Sequence, residues 1–519
     1  MEQAAGLVYQ LFQHEMFPWT FSVLALFPFL LLVLHYLATN HRTPTTCKET
    51  KNHHPPPPSP PRLPIIGHLH LIGGLLHVSL RELAHRYGPD LMLLHLGQVP
   101  NLIVSSPRAA EAVLRTHDLV FASRPYSLIA DILLYGPSDW RQSRRIITTH
   151  LLTNKKVRSY RVAREEEGMA VDMTELFSTF SNDLICRLVS GKNFQGEGRN
   201  KLFRQLFKAN SVLLAGFNLK DYYPGLARLK AVSMVMCAKA RNTRKLWDEL
   251  LDEIIDERMS KQQCEHDEGN DQDEMNFVNV LLLQEQGITR EHLKAILVDM
   301  YQAGTETSSV VLVFAMAELM QKPHLMAKLQ AELRTTIPKQ GHELITERDL
   351  TDMTYLKAVI KETLRLHPPT PLLLPHLAMA DCNIDGYTVR SGTRVIVNAW
   401  AIGRNSESWE AAEEFLPERF VDDGSAANVD FIGTDFQFLP FGAGRRICPG
   451  INFASASMEI ILANLLYHFD WDVSAEAAID KDGIDMAEAF GLSVQLKEKL
   501  LLVPVDYKDG MQDSAVILL

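Results

Sequence analysis

Residues 17–38 carry no charged side chain and 21–34 are almost wholly apolar. At about 1.5 Å of rise per residue, this stretch is long enough to cross most of a bilayer, and it predicts one transmembrane helix kinked at Pro28. Only Glu2 and Glu15 precede it, whereas Arg42, Lys48 and Lys51 follow. That asymmetry predicts a single-pass anchor with the rest of the chain in the cytosol. No basic segment precedes the apolar run and no small-residue cleavage site closes it, so an uncleaved signal anchor fits better than a cleaved signal peptide. Pro55-Pro-Pro-Pro-Ser-Pro-Pro-Arg-Leu-Pro64 follows, and polyproline geometry predicts a semi-rigid spacer. The expected organisation is an anchor over 1–40, a basic and proline-rich hinge over 41–64, and one large domain over 65–519.

Beyond the hinge, helical periodicity predicts helices over 245–261, 290–321 and 355–367. Thr289 opens the second, Pro323 closes it, and Pro368-Pro369 stop the third. Apolar runs split by Gly97 and Pro100 predict a hairpin from 91–96 and 101–104, and Ser391-Gly392 predicts another from 387–390 and 393–397. The acidic run 262–274 has almost no apolar residue and is expected to be a disordered surface loop. The fold class expected is mainly α with small β-sheets (α+β), preceded by the transmembrane helix.

With 46% hydrophobic and 22% charged residues, the 519-residue chain can build an ample core. Its net charge of −11 leaves no basic excess to neutralise phosphates, which argues against a nucleic-acid partner. The cysteines are widely spaced and do not form a disulfide framework, so a reducing compartment is expected. Cys47, Cys186, Cys237, Cys264 and Cys382 have neither metal-ligand nor CxxC spacing and read as ordinary thiols. Cys448 differs. It lies in Phe441-Gly-Ala-Gly444-Arg445-Arg446-Ile-Cys448-Pro449-Gly450, where glycines let backbone approach a flat macrocycle and the N–H groups after the cysteine can bond its sulfur. This is a setting for an iron-binding thiolate.

Two further constellations stand out. In Ala303-Gly304-Thr305-Glu306-Thr307-Ser308, hydroxyls that bond backward to carbonyls, together with a glycine, can loosen the helix into a local groove. Glu362 and Arg365, three residues apart on a helix, share one face and can pair.

The fixed positions of Phe-x-x-Gly-x-Arg-x-Cys-x-Gly are all matched, by Phe441, Gly444, Arg446, Cys448 and Gly450, and on these residues the chain resembles the cytochrome P450 superfamily. The resemblance implies that Cys448 is the metal ligand, an axial thiolate on the iron of haem b that favours O–O cleavage. It implies a cofactor site formed with Phe441, Gly444, Arg446 and Gly450, and propionate contacts from Trp140, Arg144, Arg446 and, through one hydrogen bond, His376. Glu306 and Thr307 fall on the catalytic positions of a proton relay and a hydroxyl donor toward bound dioxygen. Arg419, in Pro417-Glu418-Arg419-Phe420, would complete a buried structural triad with Glu362 and Arg365. Met300, Ala303, Leu372, Leu373, Leu374 and Phe490 would line an apolar substrate site. Arg141, Arg145 and Arg445 would belong to a basic face that docks an NADPH–cytochrome P450 reductase.

The wording Leu356-Lys-Ala-Val-Ile-Lys-Glu-Thr-Leu-Arg-Leu-His-Pro-Pro369, followed by Leu372-Leu-Leu-Pro-His376, resembles the plant microsomal hydroxylating group. It is similar above all to grass enzymes that hydroxylate indole and indolinone intermediates of benzoxazinoid defence compounds. This implies an endoplasmic reticulum membrane protein of specialised metabolism that inserts one atom of O2 into a small apolar, indole-like or related substrate. One departure is that 134–139 run straight into Trp140, where relatives place a short aromatic and Gly/Pro-containing turn. A non-catalytic haem-binding membrane protein therefore stays open as an alternative, beside a haem-thiolate isomerase or dehydratase.

Overall fold

The computed structural model describes residues 54–135, 143–144, 171–190, 199–216, 219–223, 237–268, 278, 281, 288–337, 345–474, 479–480 and 483–507. The expected anchor, the hinge up to residue 53, Trp140 with the shortened lead before it, Arg141 and Arg145 lie outside the described residues.

Helices dominate the fold. They include α1 (Leu76–Tyr87), α2 (Met173–Ser190), α3 (Arg199–Ala215), α4 (Ala238–Glu268), α5 (Arg290–Gln321), α6 (Pro323–Thr336), α7 (Thr354–Leu366) and α8 (Ile451–His468). Helix α5 has the bounds its caps predict: the Thr289 hydroxyl accepts from the His292 N–H at 3.2 Å, and Pro323 starts the next helix. It is long and apolar enough to cross a membrane, but it is mostly buried inside the protein as a core helix. Its second half packs with α6, α7 and α8 through Met316, Leu329, Leu356 and Leu462, and its first half packs with α2, α3 and α4 around Trp247 and Tyr301.

Helix α4 corrects one expectation. It runs on to Glu268, through the start of the acidic segment expected to be a loop. Lys261-Gln-Gln-Cys-Glu-His-Asp-Glu268 contains several good helix formers, and Gly269 is the first strong breaker.

The main sheet has the order β1 (Leu91–Leu96), β2 (Val99–Val104), β6 (Arg394–Val397), β3 (His376–Leu377). The β1–β2 hairpin is antiparallel with Leu91 opposite Val104, and β2 runs parallel to β6 with Leu102 opposite Val395. The second predicted hairpin does not form. Residues 387–389 (β5, Tyr387–Val389) pair instead with β4 (Cys382–Ile384) across Asp385-Gly386, both at positive φ as a tight two-residue turn requires. The buried Val395, Ile396 and Val397 enter the main sheet, where both faces are covered. From Pro55 onward the proline segment lies against the domain: the carbonyls of Pro55 and Pro58 accept from the N–H groups of Thr388 and Leu93.

Candidate functional site

The Cys448 loop turns on glycines. Gly442 and Gly444 sit at φ +69° and +66°, a short 3-10 turn spans Gly444–Arg446, and α8 begins three residues after the cysteine. The Cys448 N–H donates to the Phe441 carbonyl at 2.9 Å, and the Gly450 N–H donates to Cys448 Sγ at 3.3 Å. Burial pushes the thiol pKa up, while the Gly450 N–H and the charge of Arg144 oppose it by favouring the thiolate. Arg144 donates to the Ile447 carbonyl, and its neighbour Ser143 lies 3.0 Å from His292 Nε2, so this segment bridges the cysteine loop and the start of α5.

A cluster of cationic groups flanks the loop. Arg446 donates to the Ala122 carbonyl at 2.8 Å. Arg124, which no motif or periodicity marked, donates to the carbonyls of Leu374 and Pro375 at 2.6 and 2.9 Å. Burial, then the charge of Arg446, lowers Arg124 to about 10, so it remains a cation at neutral pH. Two guanidiniums fixed this way form a place that an anion relieves electrostatically. His376 is different. Burial and the two arginines push it down to about 4, and its Nδ1 lies 2.8 Å from the Phe121 carbonyl. The neutral ring has one proton, which this carbonyl requires, so the hydrogen bond expected from His376 to a propionate is not available in this geometry. Arg445 pairs with Asp118 at 2.6 Å, which offsets the charge expected on a docking face.

Across from the loop runs α5. Between Leu293 and Leu319 every residue is buried except Asp299, Ala303, Gly304 and Thr307. Asp299, Ala303 and Thr307 follow at intervals of four and share one face. They form a strip of open surface on a helix otherwise enclosed by protein. The helix does not loosen as expected but stays continuous through 303–308, and a Cβ on Gly304 would collide with Ile185 of α2. Thr307 Oγ1 donates to the Ala303 carbonyl at 2.7 Å. Met300, expected in the substrate lining, is buried in the core with Trp247 and Tyr301, because one residue turns it about 100° away from Asp299.

Glu306 points away from Thr307. Its carboxylate accepts from Gln302 Nε2 at 2.6 Å and Gln495 Nε2 at 3.0 Å, and among the described residues no hydrogen bond joins it to the Thr307 hydroxyl. Burial raises its pKa to about 7, against the opposing hydrogen bonds of Ser211, Gln302 and Gln495.

Two further contacts tie down the segment after α7. The Val494 N–H donates to the Pro369 carbonyl at 2.9 Å, and Leu373 packs beside Gly442. Leu372 packs on α1 and the main sheet, whereas Leu374 and Phe490 keep 48% and 47% of their surface open.

Behind the loop Glu362, Arg365 and Arg419 meet with no solvent access to the glutamate. Arg365 bonds both carboxylate oxygens at 2.7 Å, and Arg419 Nε lies 3.1 Å from one of them. Arg365 also donates to the carbonyls of Gly403, Ala412 and Glu414.

The family model for cytochrome P450 matches residues 57–494. The chain belongs to this family. The P450 is 50% identical to the indole-2-monooxygenase of Zea mays, covering 96% of this chain and 99% of the relative. It is 47% identical to the indolin-2-one monooxygenase of Zea mays, covering 92% and 94%. Among solved structures it is similar to a zebrafish cytochrome P450 with abiraterone, with a TM-score of 0.65 at 24% identity over 84% of this chain and all of that one, a likeness of fold. The P450 is therefore a monooxygenase.

The family implies a haem-thiolate iron, and the donor set fits it. Among the described residues no three His, Cys, Asp or Glu side chains converge on one point. Cys448 thus offers a single sulfur, which suits an iron whose in-plane positions are filled by a macrocycle, and the nearby guanidiniums suit that macrocycle's carboxylates.

Proposed function

We propose that this P450 is an endoplasmic reticulum-anchored monooxygenase of plant specialised metabolism that oxidises small planar heterocycles of the indole type. Electrons come from NADPH, one at a time, through a cytochrome P450 reductase. The strip Ala303–Thr307, open on an otherwise buried helix, carries this reading. The indole and indolinone substrates named for the Zea mays relatives support the substrate class.

Cys448 holds the haem iron, with Phe441, Gly444 and Gly450 shaping the loop. Arg144, Arg446 and Arg124 neutralise the propionates, Trp140 donates its indole N–H to one of them, and the Glu362, Arg365, Arg419 triad fixes the segments behind the cysteine. Bound haem supplies the iron at which dioxygen is reduced and split. The chain supplies the rest. Ala303, Leu372, Leu373, Leu374 and Phe490 hold a flat substrate and exclude water, and Glu306, with a pKa near neutrality, takes up and releases protons at its carboxyl oxygen. The Thr307 hydroxyl, now bonded to the Ala303 carbonyl, turns to offer its proton at the open face.

The test reconstitutes the full chain with a plant reductase, NADPH, indole and isotopically labelled dioxygen. One labelled atom in the product, with the other leaving as water, is expected for each NADPH consumed. Failure of indole-type compounds to bind or be oxidised refutes the substrate class. For the membrane reading, removal of residues 1–39 is expected to shift the protein toward the soluble fraction. Glycosylation of a tag placed after Ser59 in microsomes contradicts the cytosolic orientation.

A further inference from the structure

His77 of α1 keeps 2% of its surface exposed, on a helix whose other buried residues are Leu80, Leu83 and Ala84. Its Nε2 donates to Glu488 Oε2 at 2.8 Å, across 411 positions of the chain. Backbone and ring are both held: Asn398 Nδ2 donates to the His77 carbonyl at 2.8 Å, and the Trp400 ring meets the imidazole edge-on at 4.8 Å. Trp400 in turn carries the guanidiniums of Arg81 and Arg404, 5.3 and 4.2 Å from its centroid. Two aliphatic side chains would bury the same contact without taking a carboxylate out of water, so the polar pair contributes direction rather than net stability.

Glu488 begins a two-stranded hairpin, with Glu488–Ala489 antiparallel to Gln495–Leu496 and Phe490 at the start of the turn. The turn and the second strand are tied to the body at three points. The Leu492 N–H donates to Ser211 Oγ of α3 at 3.2 Å, the Val494 N–H to the Pro369 carbonyl, and Gln495 to Glu306. The first strand is tied through Glu488. Phe490 stands two residues beyond that anchor, about 7 Å of extended chain. Leu372 packs on the cluster that Leu80, Leu83 and Ala84 help to form, so α1 bears on a second residue of the proposed lining.

We infer that His77 and Glu488 are positioning residues for the substrate site: their hydrogen bond clamps the first strand of the hairpin to α1, sets where Phe490 stands, and so limits the size of planar heterocycle accepted. This rests on the reading above of Phe490 as part of the substrate lining, and it adds a residue pair that acts on the substrate through Phe490.

The probes are indole and carbazole, planar N–H heterocycles that differ by one fused ring. Their dissociation constants on the haem-loaded full chain are measured by the substrate-induced spectral shift and by equilibrium dialysis. Glu488→Ala and His77→Ala are each expected to change the ratio of the two constants by at least about threefold from the parent, with the carbon monoxide spectrum unchanged. His77→Gln, whose amide nitrogen can donate in the same direction, is expected to return the ratio to within about twofold of the parent. The effect should run through Phe490: in a Phe490→Ala background, Glu488→Ala is expected to change the ratio by less than about twofold. Should a single variant fail to hold haem, His77→Leu combined with Glu488→Leu decides, because removing both partners leaves neither polar group orphaned. That double variant is expected to keep its haem and still to change the ratio by at least about threefold. A full effect of Glu488→Ala in the absence of Phe490 overturns the inference. A lowered melting temperature with an unchanged ratio marks a structural role and also overturns it. If the parent binds both probes and the variants leave the ratio unchanged, the inference fails while the indole-type function stands; if the parent binds neither, both fail.

Discussion

Gln495 Nε2 donates to Glu306 Oε1 at 3.0 Å, tying a two-residue strand near the end of the described chain to the middle of α5. This bond favours the charged form of a carboxyl that burial otherwise holds near pH 7. Gln495→Leu removes it, so the pKa of Glu306 is expected to rise further. The pH profile of coupling between NADPH use and product should shift to higher pH on its alkaline side, and an unshifted profile removes Gln495 from proton handling.

The same raised pKa bears on stability. Below about pH 4.5, the ordinary value, Glu306 is protonated in both folded and unfolded chains and costs nothing. As the pH rises toward about 7 the unfolded chain ionises more readily, so the buried carboxyl increasingly opposes folding, and above that the cost levels off. Glu306→Gln should therefore gain melting temperature relative to the parent between pH 5 and 8. Thermal unfolding of both haem-loaded proteins across that range checks the sign.

Cys448→Ala is expected to abolish the red-shifted Soret band of the reduced carbon monoxide complex, the signature of a thiolate on haem iron. Replacing the buried Cys186 or the half-buried Cys382 by Ser should leave that band in place. An unchanged spectrum in Cys448→Ala transfers the ligand role elsewhere.

Much of this arrangement is legible in the residues, but unevenly. The bounds of α5 follow from Thr289 and Pro323 because caps act locally, and the β1–β2 hairpin follows from Gly97 and the flanking apolar runs. The partner of β6 is not local: whether 394–397 pairs with 387–389 or with β2 depends on burial of both its faces, which no nearby residue reports. Arg124 escapes for the same reason, since only the packing of 121–124 against 374–376 brings it beside Arg446. On α5 the helical period was plain but its phase was not. One residue separates Met300 in the core from Asp299 on the open strip, and the phase is set by where α2, α3 and α4 pack.

The triad sets a stability expectation. Glu362 compensates two buried guanidiniums, so Glu362→Gln leaves both without a counter-charge and should cost at least about 3 kcal/mol, with loss of haem. Arg365→Lys cannot reproduce the paired bonds to both carboxylate oxygens and should cost nearly as much. Urea unfolding of the purified proteins measures both. A loss under about 1 kcal/mol would mean that the triad behaves as an exposed pair does.

Thr307→Ala keeps the helix, since alanine is the better helix former, and removes only the hydroxyl on the open face. Haem content and substrate affinity should stay within about twofold, a few tenths of a kcal/mol, while NADPH consumption drains into peroxide. Equal coupling in variant and parent takes Thr307 out of proton delivery.

Gly442 and Gly444 separate two reasons for a glycine in the Cys448 loop. Both hold positive φ, so alanine at either place carries the left-handed backbone cost of roughly 1–2 kcal/mol. Their surroundings differ. A Cβ on Gly442 would meet nothing nearer than Leu373 Cδ1 at 3.7 Å, an ordinary contact. A Cβ on Gly444 would run into the carbonyl oxygen of Leu114, a backbone atom that cannot rotate aside, and relief would require the loop to move off its support two residues before Arg446 and four before Cys448. Gly442→Ala should thus lose a few degrees of melting temperature and keep its haem, whereas Gly444→Ala should lose haem occupancy as well as stability. The ratio of the carbon monoxide band to total protein, measured beside the melting temperature, separates the two effects. Equal damage from both substitutions would show that backbone conformation alone, rather than the close approach to Leu114, demands glycine in this loop.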